Sequence, residues 1–112
     1  MSNLLNITAI ILTFNEGIHL QRCLDSVKEL TDKIYVVDAY STDTTVEIAL
    51  KAGVQLLQNS WPGNHSLQFN WALTQIPPDT SWILRIDADE VLELGLIMEL
   101  REKMSLIPPN VV

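Results

Sequence analysis

A chain of 112 residues, 47% of them apolar, is long enough to bury one core of its own and too apolar to be disordered. Seven basic side chains against fourteen acidic ones leave a net charge of −7, which argues against nucleic acid as a partner, because phosphate contacts need clustered Lys and Arg. The single cysteine, Cys23, excludes an internal disulfide and a thiolate zinc site, and fits a reducing compartment.

The run of residues 7–14, Ile-Thr-Ala-Ile-Ile-Leu-Thr-Phe, predicts a central strand covered on both faces. It is too short to span a bilayer, and no basic segment precedes it, so neither a membrane span nor a signal peptide is expected. Asn15-Glu16-Gly17 breaks the run. Leu20, Leu24, Val27 and Leu30 then recur at helical spacing, with Cys23 beside them, and predict an amphipathic helix over about 18–30. Residues 33–38 predict a second short strand that ends in the carboxylate of Asp38. Ser41, Thr42, Asp43 and Thr44 are helix N-cap residue types. In the helix they open, Val46, Ala49 and Leu50 form the apolar side and Gly53 is placed to end it.

Residues 54–57 predict a third strand, and Trp61-Pro62-Gly63-Asn64 a loop. Leu67, Asn70, Trp71 and Thr74 share one face of a third helix that stops at Pro77-Pro78. Residues 81–86, Ser-Trp-Ile-Leu-Arg-Ile, predict a fourth strand, followed by Asp87-Ala88-Asp89-Glu90. A last helix is expected over about 93–104, closed by Pro108-Pro109, with Glu93, Glu99 and Glu102 on its solvated face.

Strands alternating with helices mean an α/β fold with a parallel sheet and right-handed crossovers. Every polar cluster follows a strand: Asn15-Glu16, Asp38 with Ser41 and Asp43, and Asp87 to Glu90. All therefore gather on the carboxyl rim of the sheet, where open α/β sheets bind ligands. Acidic strand ends on one rim repel each other unless a cation or a donor-rich ligand sits among them. Two aspartates spaced i, i+2 can share a hard divalent cation. The same pair also suits a plain strand-to-helix turn, where Asp caps a helix.

Taken together, residues 10–16, 36–45 and 82–90 resemble the family 2 glycosyltransferases of the GT-A fold, in the right order and spacing. Gln68, Asn70 and Ala72 fall where the family reads Gln-Arg-Asn-x-Ala. The resemblance covers nearly the whole chain and is nearest to bacterial enzymes of lipopolysaccharide core or capsule synthesis. It implies a Rossmann-like parallel sheet of order 3-2-1-4, the N-terminal, donor-binding half of a GT-A domain over residues 1–112. It implies that Thr13, Asn15 and Glu16 line a nucleotide pocket, that Asp38 hydrogen-bonds a uracil ring, and that Ser41 and Asp43 support that pocket. Asp87 would lie near the ribose and metal, and Asp89 would hold Mg²⁺ or Mn²⁺ on the diphosphate oxygens. The implied reaction is an inverting transfer from a UDP-sugar to a glycan or lipid-linked acceptor. The expected setting is cytoplasmic, at the inner face of the membrane.

Three departures stand out. Phe69 replaces a basic residue and so a diphosphate contact. Tyr40 replaces a small residue and either stacks on the base or covers the rim. Arg85 interrupts an otherwise apolar strand and reads as a solvent-facing or edge residue. Family members run to roughly twice this length. Their acceptor half would carry the general base, which is expected beyond Val112. Without that half, the strand over 81–86 becomes an apolar edge and predicts self-association. His19 and His65 read as surface or capping residues, and Trp61 and Trp71 as core and rim packing. Alternatives to a glycosyltransferase are a nucleotide-sugar binding module without turnover, a nucleotidyltransferase, and a purely structural domain.

Overall fold

The computed structural model describes residues 4–77 and 82–105. Eight elements alternate: β1 (Ile7–Thr13), α1 (Leu20–Lys28), β2 (Lys33–Asp38), α2 (Thr45–Lys51), β3 (Gln55–Gln58), α3 (His65–Gln75), β4 (Trp82–Asp87) and α4 (Leu94–Ser105). The strands form one parallel sheet of order β3-β2-β1-β4, the order expected. Ser81, Pro78 and Pro108-Pro109, which the sequence reading used, lie outside the described residues.

All seven residues of β1 are buried, as a central strand covered on both faces requires. Ala9 and Ile11 meet Leu20, Cys23, Leu24 and Val27 of α1, whose i, i+3, i+4, i+7 spacing makes one apolar stripe. Ile10 and Leu12 point the other way, toward Ala72, Phe69 and Trp71 of α3. A third cluster joins Ile97 of α4 to Ile7 and Leu30. Each such buried aliphatic contributes about 1.5–3 kcal/mol. Thr31 is buried without an apolar role. Its hydroxyl donates to the Ile7 carbonyl at 2.5 Å and accepts from the Lys33 N–H at 3.1 Å, which ties the entry of β2 to the start of β1.

Two helical faces differ from expectation. In α2, Thr45 and Ala49 are buried and Ile48 packs beside them, whereas Leu50 is exposed. Gly53 does follow α2, at φ +75, which a side chain would strain. In α3 the buried positions are Gln68 and Ala72, and Leu67, Asn70 and Thr74 face solvent.

β1 connects toward β2 on one side and lies beside β4 on the other. The strand order therefore reverses between β1 and β4, and an open crevice forms outside their carboxyl ends. The outer edge of β4 has no strand partner among the described residues, and Trp82 and Ile83 are exposed there.

Candidate functional site

A cavity of about 640 Å³ opens at that crevice. Its floor and one wall come from Leu12, Thr13, Phe14 and Glu16 at the end of β1. The opposite wall is Asp87, Ala88 and Asp89 at the end of β4. The register Leu12↔Asp87 sets these two strand ends side by side. Trp61, His65 and Gln68 close a third side from the β3–α3 loop and the first turns of α3.

The loop after β1 is held by the loop after β2 through crossed hydrogen bonds. Asn15 adopts φ +51, an uncommon conformation that Asn tolerates, and its Oδ1 accepts from the Thr42 N–H at 2.8 Å. Its own N–H donates to Ser41 Oγ at 2.7 Å. The next two N–H groups donate to Thr45 Oγ1 at 2.9 Å and Asp43 Oδ2 at 3.0 Å. Three successive backbone donors are thus met by side chains of one partner loop, and Glu16 is delivered to the cavity rim. Gly17 is required by close approach, because an added Cβ would collide with Thr44 Oγ1 and press on Asp43 Oδ2. The hydroxyl of Thr45, then the N–H groups of Thr45 and Gly17, hold the Asp43 carboxyl below the usual carboxylate range.

Asp38 lies beneath this lock and is fully buried. Oδ1 accepts from Thr13 Oγ1 at 2.7 Å and Ser41 Oγ at 2.5 Å, and Oδ2 accepts from the Ser41 N–H at 2.8 Å. The register Thr13↔Asp38 sets the first of these pairs side by side. The carboxylate is thus held by Thr13 and Ser41 and is not among the residues that line the cavity. Tyr40, at φ +57, is exposed beside it, and no ring contact among the described residues involves it.

The acidic turn is closed on itself. Glu90 Oε1 accepts from the Asp87 N–H at 2.8 Å while the Glu90 N–H donates to the Asp87 carbonyl at 2.9 Å. Glu90 is thereby a structural clasp, and Asp87 and Asp89 are the carboxylates left to the cavity. α1 pins the same turn from behind. Cys23 Sγ donates to the Asp87 carbonyl at 3.8 Å, and Ser26 Oγ accepts from the Leu92 N–H at 3.0 Å. Burial, and after it the carboxylates of Glu90, Asp89 and Asp87, push the Cys23 thiol up to about 12, so it stays a protonated donor. Among the described residues no group of three or more His, Cys, Asp or Glu is arranged to hold a metal ion.

Of the residues singled out from sequence, Thr13, Glu16, Asp87 and Asp89 line one cavity. Asn15, Ser41 and Asp43 form the lock, and Asp38 sits under it. The residues that sequence reasoning missed are aromatic. Phe14 is 57% exposed and Trp61 48% exposed, and both line the cavity. His65 braces Trp61 edge-on at 5.1 Å between ring centroids. An aromatic directly after a buried strand, with no helical or strand partner pattern, was the available signal for Phe14. Trp61 and His65 carried none, because their approach depends on where α3 docks.

The profile of glycosyl transferase family 2 matches residues 8–112. The chain belongs to that family. An uncharacterised glycosyltransferase of Rickettsia conorii is 42% identical over 90 residues, covering 80% of this chain and 31% of its own length. The glycosyltransferase SunS of Bacillus subtilis is 35% identical over 88 residues, covering 76% of this chain and 20% of its own. Among solved structures, glucosyl-3-phosphoglycerate synthase of Mycobacterium tuberculosis in complex with UDP shares the fold. Its TM-score is 0.64 at 21% identity, over 76% of this chain and 34% of that one. The same enzyme with Mn²⁺, UDP and glucosyl-3-phosphoglycerate gives a TM-score of 0.62 at 20% identity, over 73% of this chain and 33% of that one. The chain thus spans about a third or less of the length of the relatives it matches, less than the half expected from sequence. The four-stranded parallel sheet in order 3-2-1-4 is that of these GT-A relatives.

Proposed function

We propose that this chain is the donor-binding part of an inverting, metal-dependent glycosyltransferase that takes a UDP-sugar. The observation that carries the reading is the cavity at the switch point between β1 and β4, with Asp87 and Asp89 facing an aromatic side made by Phe14 and Trp61. Flat aromatic surface suits a base or a sugar ring. A pair of carboxylates suits a divalent cation that also binds phosphate oxygens.

Two carboxylates are too few to cage a metal, which agrees with the lack of a three-ligand group among the described residues. They fit Mg²⁺ or Mn²⁺ all the same, because such ions are bound through one or two carboxylates plus substrate phosphates and water. Asp89 and Asp87 would hold the ion, and it would supply positive charge where the leaving diphosphate gains negative charge. The UDP and Mn²⁺ complexes of the mycobacterial relative support this choice of donor and metal class. The acceptor is proposed to be a glycan or lipid-linked sugar, handled at the inner face of the membrane. Among the described residues no helix is long and apolar enough to cross a membrane.

Glu93, Glu99 and Glu102 are exposed on or before α4 and do not line the cavity. Nucleotide-sugar binding without turnover is therefore the reading for the 112-residue chain by itself. Competition among UDP, GDP and ADP tests the donor class. UDP is expected to bind best, because a pocket that pairs a uracil edge leaves polar groups unmatched against a purine. A preference for GDP would refute the uracil assignment.

A further inference from the structure

We infer that Arg85 is the residue that contacts the donor's diphosphate from the protein side, next to the carboxylates that would hold the metal. The inference rests on the nucleotide-sugar reading above and names the one cation of this chain placed to serve it.

The cavity is lined by three carboxylates, Glu16, Asp87 and Asp89, and by no Lys or Arg among the described residues. A diphosphate entering it meets like charge on two walls. A single divalent ion offsets two of those charges and leaves the rest. A second positive group at the edge of the cavity is therefore worth finding.

The chain has seven basic side chains, and all of them are described. Six are already engaged by a polar partner in this structure. Arg85 is the exception. Its guanidinium carbon lies 5.9 Å from the centroid of the Phe69 ring, and it has no carboxylate partner among the described residues, in a chain with fourteen Asp and Glu. A guanidinium resting on an aromatic face keeps its N–H donors in the ring plane free for an incoming anion.

Position supplies the other half of the argument. Arg85 and Asp87 are two residues apart on β4, so they lie on the same face of the sheet, about 6–7 Å apart along it. Asp87 lines the cavity. Phe69 stands one helical turn beyond His65, which lines it too. Arg85 thus sits just below the cavity wall, on the α3 side, with Phe69 fixing its direction. A guanidinium there can take two phosphate oxygens in a bidentate fork. Nothing covalent is required of it.

The test is the binding of UDP and of uridine to the 112-residue chain with Mn²⁺ present, for the parent and for Arg85→Met, Arg85→Lys and Phe69→Leu. Arg85→Met keeps an unbranched stem over Phe69 and removes only the charge. Loss of a charge-assisted hydrogen bond is expected to weaken UDP by roughly ten- to a hundredfold. Uridine, which lacks the diphosphate, is expected to change by less than about twofold. Arg85→Lys should fall between, and Phe69→Leu should weaken UDP without touching uridine, because it removes the platform and not the charge. The salt dependence of UDP binding should flatten in Arg85→Met. Unchanged UDP affinity in Arg85→Met overturns the inference. So does an equal loss of UDP and uridine, which would mark Arg85 as merely structural. A parent that binds uridine but gains nothing from the diphosphate overturns it too, while the uracil reading stands. A parent that binds neither overturns both.

Discussion

Gln68 is the buried polar residue on which the aromatic side of the cavity depends. It is 1% exposed, in the first half of α3. Its Oε1 accepts from Asn59 Nδ2 at 2.9 Å, and its Nε2 donates to the Asn59 carbonyl at 3.1 Å. Asn59 in turn donates its backbone N–H to the Asp38 carbonyl at 3.0 Å, at the end of β2. One side chain therefore fastens the loop that carries Trp61, and the start of α3 with His65, to the end of β2. Replacing Gln68 with Ala removes two hydrogen bonds of about 0.5–1.5 kcal/mol each. It also removes buried methylene surface at roughly 0.8 kcal/mol per group. A loss of about 2–4 kcal/mol follows, a large share of the 5–15 kcal/mol, roughly, that holds an ordinary domain together. Gln68→Met restores the volume but not the polar pairing and should recover only the packing part. Urea unfolding followed by tryptophan fluorescence measures both, and UDP titration of the folded variants reads the loop. If Gln68→Ala unfolds within about 0.5 kcal/mol of the parent, the Gln68–Asn59 pair does not hold the loop and the reasoning fails.

Two further outcomes are expected. Asp43 is held below the usual carboxylate range in the folded chain by Thr45 and Gly17, so its contribution to stability is present above the ordinary carboxylate pKa of about 4 and is lost as pH falls through the lowered value. Asp43→Asn should therefore blunt the acid dependence of unfolding below about pH 4, and an acid limb identical to the parent's would contradict the lock between the two loops. The edge of β4, unpaired among the described residues and with Trp82 and Ile83 exposed, should make the 112-residue chain self-associate, the simplest closed form being two β4 strands paired across a two-fold axis. Light scattering after size exclusion at tens of micromolar, roughly, should show the dimer, and a monodisperse monomer with slowly exchanging amides along β4 would show that the edge is already covered.

Much of this fold was legible because its strands are short, apolar and flanked by breakers. β1 could hardly be anything but central: its burial on both faces is written in a run that never alternates. The rim cluster was legible for a related reason, since parallel strands all end on the same side, so Glu16, Asp87 and Asp89 had to converge. The faces of α2 and α3 were not. Leu50 and Leu67 are large and apolar yet exposed, while α3 buries Gln68 and Ala72, one polar and one small. A rule that places large aliphatics inside must fail where the core is filled from the sheet and the helix is docked by a hydrogen-bonded amide. Asp38 was assigned to the uracil ring only through the family resemblance. Its register opposite Thr13, which only the paired structure supplies, turns it inward.

The central claim is that Asp87 and Asp89 form a site for a divalent ion and a nucleoside diphosphate together, and calorimetric titration of UDP with and without Mn²⁺ addresses it most directly. The account predicts weak binding of Mn²⁺ alone, UDP affinity that rises when Mn²⁺ is present, and loss of that rise in Asp89→Ala with the fold intact. Equal UDP affinity with and without Mn²⁺, or a rise that survives in Asp89→Ala, would contradict it.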